Sequence, residues 1–479
     1  MVLKAHRCTN PLEMLTEDQI SSIHDGTLGI LEQTGVLFES EESLRILKYA
    51  GCEVNFERKL AKFPRSLVED SIRKCPSTFL LRSRNPDYTL DLGGSNVYFA
   101  QQPARSLLDD ETLSRRTGTL KDVEDLAKLC DALPEVHSLC EPLASVSDKP
   151  AVVCMEWVVA TVMRTTEKTQ MGPSFFGCAK WVVQMANALG QQMLGSITPV
   201  SPLKYPAEQV EGLLTYARAQ HPLAICSGPS LGATGPATLA GALVLQNVEV
   251  LAGLVLAQLV SPGIGVVLQT FASPFDMRHG TMASGAIEVG MMGVALAQVW
   301  RRYCIPTGVF FPLTDSKIPD EQAAYEKYLQ LLLCALAGVN YIMPCGALDD
   351  EGTQSAAQLV IDNEVCGMVG RVLDGIDVTD ETLAIDLIKE VGPAPGNYLK
   401  TRHTREWWRK DHYPPSISVR EPYGKWAVES KGIVARASDR ARDILKTHKT
   451  PRLPEDLERE LERILKIADE AKKVAPRSQ

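Results

Sequence analysis

The 479-residue chain predicts an α/β fold, a (β/α)₈ TIM barrel with an N-terminal α+β accessory segment and a C-terminal helical tail. Two observations point there. From Thr119 onward, segments of helical period and length alternate with short apolar runs, which is the pattern of a parallel sheet covered by helices. The composition, 45% hydrophobic and 23% charged, supplies a core large enough for one wide domain. A doubly wound open sheet is the competing fold, but Gly263-Ile264-Gly265 lacks the third glycine of a dinucleotide fingerprint and no P-loop motif occurs.

In chain order, Leu15 to Gln33 has helical periodicity with Thr16 as N-cap, and shorter helices follow at Glu41 to Ala50 and Pro64 to Lys74. Phe79 to Arg82, Tyr88 to Leu92 and Val97 to Phe99 alternate between turn signals, predicting a small antiparallel sheet. These elements make an accessory domain of residues 1–118. The barrel is assigned to residues 119–426, with helices near 120, 150, 179, 207, 238, 285, 320 and 355. Its strands are placed near Val136, Thr169, Met193, Leu223, Gly265, Thr307, Tyr341 and, as the eighth, Asn397. Residues 427–479 form a helical extension whose centre, from Pro454 to Val474, is charged and amphipathic.

The net charge of −9 sets the molecular field against polyanions, so neither a nucleic acid nor an anionic membrane is expected as partner. No secretory signal precedes the first acidic residues, and twelve widely spaced cysteines match neither a disulfide scaffold nor a CxxC site. Both predict a cytoplasmic protein. Thr238 to Val260 is long and apolar enough to span a bilayer, yet Gln246, Asn247, Glu249 and Gln258 mark it as a buried helix. With Glu249 as the lone charge of its region, an exposed face there predicts a homo-oligomer.

Chemistry is expected at the strand C-terminal ends. Phe175-Phe176, Tyr205, Phe271, Phe310-Phe311 and Tyr341 fall there, and their faces suit either core packing or a cage for a quaternary ammonium ion. Asp315 and Lys317 follow the sixth predicted strand, where Asp315 faces a substrate cation or caps a turn. Cys345 and the run Asp349, Asp350 and Glu351 follow the seventh. His403, after the eighth predicted strand, is the one histidine placed to reach the mouth. The eight histidines form no HExxH pair, so no bound metal is expected.

Several segments together resemble the trimethylamine methyltransferase family of corrinoid-dependent enzymes over nearly the whole chain. They are VYFAQQPARSLLD (Val97–Asp109), TPVSPLKY (Thr198–Tyr205), GATGPATLAGALVLQNVEVLAGLVLAQLV (Gly232–Val260), LTDSKIPDEQAAYEK (Leu313–Lys327), LVIDNEVCGM (Leu359–Met368) and HTREWWRKDHYPPSISVREPYGKW (His403–Trp426). The resemblance implies a barrel that hands a methyl group to the cobalt of a separate corrinoid protein. The trimethylamine enzymes carry pyrrolysine, whereas this chain has only standard residues, so it resembles the pyrrolysine-free branch. That branch implies a quaternary amine such as glycine betaine, proline betaine or carnitine as methyl donor, and failure on trimethylamine.

On this reading Asp315, Lys317 and His403 act at the reacting end, with His403, an arginine or backbone N–H groups receiving a betaine carboxylate. Tyr98, Phe99, Phe175, Tyr205, Phe271, Phe311 and Cys345 line the substrate site, and Gln101 and Gln102 place amides over the mouth. Two other functions fit the residues: a barrel lyase or hydrolase using Asp315 and Glu351 as an acid–base pair, and a betaine-binding module without turnover.

Overall fold

The computed structural model describes residues 3–474. Three helices come first, α1 (Glu17–Gln33), α2 (Glu41–Tyr49) and α3 (Arg65–Lys74), followed by the hairpin β1 (Thr78–Leu81) and β2 (Leu90–Gly93). Eight parallel strands then close a barrel: β3 (Asn96–Gln101), β4 (Ser138–Leu139), β5 (Thr169–Gly172), β6 (Met193–Ile197), β7 (Leu223–Ser227), β8 (Val266–Thr270), β9 (Thr307–Val309) and β10 (Tyr341–Cys345). Closure pairs Tyr341 of β10 with Tyr98 of β3. Between and after the strands run α4 (Leu120–Ala132), α5 (Cys154–Thr165), α6 (Ala179–Ala188), α7 (Ala207–Arg218), α8 (Leu239–Val260), α9 (Ile287–Arg302), α10 (Glu321–Leu336) and α11 (Ala356–Leu373).

Local chemistry explains these boundaries. Thr16 and Thr119 form reciprocal capping boxes with Gln19 and Asp122, which start α1 and α4 where the sequence places them. Strands such as β7 (LAICS) and β8 (VVLQT) are buried along their whole length, so they read as continuous apolar runs without alternation.

The sequence reading put two strands wrongly. Val97 to Phe99 belongs to the first barrel strand, β3, and not to an accessory sheet, so the barrel begins at Asn96 rather than 119. No strand forms near Asn397. The Gly93-Gly94 turn made β3 look like the third strand of a meander, and counting from β4 then required an eighth strand downstream.

The β1–β2 hairpin plugs the N-terminal end of the barrel. Leu81, Leu90 and Leu92 pack with Tyr98, Met171, Leu194, Ala224, Val267, Tyr341 and Met343 of the barrel interior, and Phe79 fills the space beside Gly265 at the foot of β8. Leu92→Ala should destabilise the protein by roughly 2 kcal/mol, the low end for a buried leucine because the hairpin can settle. Urea unfolding measures it, and substrate affinity should not move, since the plug lies at the end opposite the mouth.

Helix α8 is buried, and α1, α2 and α3 lie across it. Its polar residues are satisfied: Asn247 Nδ2 donates to Thr27 Oγ1 at 3.0 Å and to Tyr303 OH at 2.9 Å. Glu249 accepts from the hydroxyls of Ser201 and Ser227 at 2.8 and 2.5 Å and from the Leu203 N–H at 2.8 Å. The apolar face from which the sequence argued self-association is therefore covered by the chain's own accessory helices. After α11, four short helices follow, α12 (Asp380–Leu383), α13 (Ile385–Val391), α14 (Arg402–Trp407) and α15 (Tyr423–Glu429). Then α16 (Ile433–Thr447) packs on α11 and α4, and α17 (Glu455–Val474) on α5 and α6. The last five residues of the helical extension lie outside the described residues.

Candidate active site

At the C-terminal end of the barrel a cavity of 320 Å³ opens among Cys140, Met171, Ser196, Cys226 and the loops beyond them. Four phenylalanines line it: Phe175 and Phe176 after β5, Phe271 after β8 and Phe310 after β9. The Phe271 and Phe310 rings meet edge to face with centroids 6.2 Å apart. Gly228 makes room for the first of them, because a Cβ there would lie 2.0 Å from the Phe271 ring.

Two carboxylates face this apolar space, Glu141 and Glu351. Glu141 follows β4, and Gln101 Oε1 fixes the preceding residue by accepting the Cys140 N–H at 3.2 Å. Glu351 sits on a tight turn between the short strands Ala347–Leu348 and Thr353–Gln354, which pair with Ser106–Leu108 to form a small sheet over the mouth. Asp349, Asp350 and Glu351 have φ of 55°, 49° and 60°. Three successive left-handed residues cost about 1–2 kcal/mol each. The turn is held nonetheless: the N–H groups of Asp349 and Asp350 donate to Ser316 and Thr314 carbonyls at 2.9 and 3.0 Å, and Asp349 pairs with Lys317 at 2.6 Å and Arg115 at 2.8 Å. Arg105 adds its backbone N–H to the Glu351 carbonyl and its guanidinium to that of Asp350, both at 2.9 Å.

Among the described residues no ion pair reaches either cavity carboxylate. Glu141 gains only its own backbone N–H, and Glu351 Oε1 is buried without a partner. Burial pushes Glu141 up to about 7. It pushes Glu351 up to about 8, with the charges of Asp350 and Glu141 adding and Arg105 opposing. A cavity with aromatic walls and two unpaired acids can bind an organic cation or exchange a proton near neutral pH.

Few of the sequence-predicted residues meet here. Phe175 and Phe271 line the cavity. Phe311 does not: strand alternation turns it outward onto Val289, Leu313 and Ala347, and Phe310 faces in instead. Tyr98 is at the plugged end, where its hydroxyl accepts the Asp91 N–H. Phe99 faces the helix layer beside His6 and His137. Tyr205 stacks on Phe38 outside the barrel and donates to the Glu249 carbonyl at 2.7 Å. Cys345 is buried against Cys366 of α11, with the sulfurs 3.9 Å apart.

Gln101 and Gln102 act beneath the rim, Gln102 Nε2 holding the Phe310 carbonyl at 2.8 Å. Asp315 accepts the Ser284 and Gly285 N–H groups, both at 3.1 Å, as a turn-capping residue does. Lys317 is exposed and clamps Asp349. His403 stacks on Trp407 in a surface groove bordered by α12, α13 and α14, away from the mouth.

Glu141 and Arg105 were missed by sequence reasoning, although an acid two residues past a short apolar strand (HSLCEP) is a usable barrel-mouth signal. Lys472 of α17 also reaches the rim, donating to the Phe176 carbonyl at 2.8 Å and pairing with buried Glu156 at 2.5 Å.

One group of metal-ligating type exists among the described residues, His6, Glu135 and His137, beside the foot of β3. His137 Nδ1 accepts the Phe99 N–H at 2.9 Å, and burial keeps its ring neutral. The other nitrogen then carries the proton, so this ring has no lone pair left for a metal.

A family model described as Trimethylamine methyltransferase (MTTB) matches residues 2–470. The curated relatives include Trimethylamine methyltransferase MttB of Desulfitobacterium hafniense, 35% identical over 473 residues, 96% of this chain and 95% of that one. Glycine betaine methyltransferase of the same species is 33% identical over 477 residues, covering 96% and 98%. Among solved structures, the monomethylamine methyltransferase of Methanosarcina barkeri aligns over 94% of this chain and 99% of its own with a TM-score of 0.48 and 12% identity.

Proposed function

The chain belongs to the trimethylamine methyltransferase family, and from that premise we propose that it moves a methyl group from a quaternary amine to the corrinoid of a separate partner protein. It is a methyltransferase; the donor is inferred from its site and the corrinoid acceptor from its family. What carries the reading is the cavity itself, in which four phenylalanines and two unpaired carboxylates surround a space sized for a small cation. That space takes an amine of a few carbons and has no room for a corrin ring. The acceptor must therefore approach from outside the mouth.

A quaternary ammonium leaves as a neutral tertiary amine, so no group here has to protonate it. The phenylalanine faces and the carboxylates bind the cation, and because its charge vanishes as the methyl departs, they favour binding over transfer. Transfer gains from alignment in a dry cavity, which Gln101, Gln102 and the clamped 349–351 turn maintain. The partner's reduced cobalt supplies the nucleophile. Asp315 does not face Glu351 across the cavity, so the acid–base pair expected of a lyase, Asp315 with Glu351, does not form. All twelve cysteines are free, which suits the cytoplasm. We assign residues 96–373 to the catalytic barrel and the segments on either side to bracing it.

Purified protein mixed with reduced corrinoid and quaternary amines should change the corrinoid absorption spectrum and release one equivalent of demethylated amine. Trimethylamine should react more slowly than the best quaternary amine. Silence with every quaternary amine would overturn the proposal.

Phe310→Leu and Phe271→Leu should each weaken substrate binding by roughly 1–2 kcal/mol. Phe311→Leu and Tyr98→Leu should lower the melting temperature instead and leave affinity alone. Titration calorimetry on all four variants checks this, and an equal loss of affinity in Phe311→Leu would contradict the assigned lining.

A further inference from the structure

Resting on the methyl-transfer reading, we propose that the cavity selects a quaternary amine that carries no carboxylate, such as a tetraalkylammonium ion or an amino alcohol, over a zwitterionic betaine. The fixed charge inside is acidic. Glu141 and Glu351 arrive from different loops and share one wall-to-wall apolar space. Arg105, the one basic residue on the lining, is exposed at the rim with its guanidinium on the Asp350 carbonyl. His403, which the sequence offered for a carboxylate, stacks on Trp407 away from the mouth, and Lys317, expected at the reacting end, pairs with Asp349. The Phe176 N–H, a possible backbone donor, already serves Glu208 at 3.2 Å.

The other titratable groups facing the pair are Asp350, which adds negative charge, and the thiols of Cys140 and Cys226, which burial keeps protonated. Inside the cavity, a carboxylate attached one carbon from the ammonium nitrogen would therefore meet two acids, the one lining cation, Arg105, lying at the rim on the Asp350 carbonyl. It could be accommodated only if a glutamic acid kept its proton and donated it as a hydrogen bond. The two ligand classes thus impose opposite proton linkages on the same residues. A carboxylate-free cation favours ionised glutamates, releases protons on binding and binds more tightly as pH rises. A betaine takes up or retains a proton and binds more tightly as pH falls.

Calorimetry on the full chain with tetramethylammonium, choline and glycine betaine, at about pH 6 and about pH 9 and in buffers of different ionisation enthalpy, separates the cases. The expected result is that tetramethylammonium or choline binds about tenfold tighter than glycine betaine, more tightly at the higher pH, with proton release. Glu351→Gln should lose about tenfold of that affinity and most of its pH dependence. Glu141→Gln provides the same readout should the first variant fold poorly. Glycine betaine binding as well as the simple cations, with the reverse pH slope, overturns the selectivity and leaves methyl transfer standing. If none of the three binds and none donates a methyl group to reduced corrinoid, the methyl-transfer reading falls as well.

Discussion

Glu141→Gln/Glu351→Gln should be more stable than the parent above neutral pH and should bind the quaternary amine roughly 100-fold more weakly, the equivalent of about 3 kcal/mol of contacts to the cation, with methyl transfer at subsaturating amine falling by no more than that. The stability gain follows from linkage. Both carboxyls ionise near the ordinary 4.5 in the unfolded chain, but only at about 7 and about 8 in the folded one. Between those limits the folded state holds protons that the unfolded state has given up. Stability is therefore fully present below pH 4.5 and falls as pH rises through 8, by an amount on the order of several kcal/mol for the pair. The amides do not ionise, so the variant should lack that decline. Melting curves at about pH 5 and about pH 9 test it. A parent protein whose melting temperature rises over that range relative to the variant would contradict the assignment of these acids. Added quaternary amine should restore the parent's stability at high pH and stabilise the variant much less at the same concentration.

Lys327→Met is expected to cost about 3–5 kcal/mol, a large part of the stability of most domains. Lys327 of α10 and Asp362 of α11 are fully buried and lie 2.9 Å apart. The lysine also donates to the Ala347 carbonyl at 2.9 Å, and Asp362 accepts the Gly346 N–H at 2.7 Å and the Gln358 amide at 2.8 Å. Removing the cation leaves a dry carboxylate next to the loop that carries Glu351. The paired replacement Lys327→Met with Asp362→Leu should recover most of the loss, because no isolated charge remains. Urea unfolding of the single and double variants decides it. A single variant as stable as the parent would mean the pair is solvated.

The barrel was legible because α4 to α11 have clear period and spacing, with side-chain caps on α4, α8, α10 and α11, and because seven of its strands are short apolar runs between them. Its first strand was not, since NVYFAQ follows a glycine turn and a hairpin, and nothing local tells an antiparallel neighbour from a parallel one 240 residues away. The site was less legible than the fold. Phe310 and Phe311 are equivalent in composition, and only the strand's two-residue alternation, set by its pairing with β8, decides which ring faces the cavity. Asp315 and Lys317 stand near the mouth yet serve its loops, Asp315 by capping backbone N–H groups and Lys317 by pairing with Asp349. Glu351 looked like part of a solvated acidic run, because its inward direction depends on a three-residue left-handed turn that Ser316, Thr314, Lys317 and Arg115 hold in place. Those clamps come from segments far apart in the chain.

The pairing of Tyr98 with Tyr341 also sets a timetable for synthesis. At a ribosomal rate of about 5–20 residues per second, β3 emerges on the order of ten to fifty seconds before its partner β10 exists. During that interval one edge of the growing sheet is unpaired and apolar, open to other nascent chains. Yield in a foreign host should therefore depend on holdase chaperones and on slower, cooler expression more than on the stability of the finished enzyme.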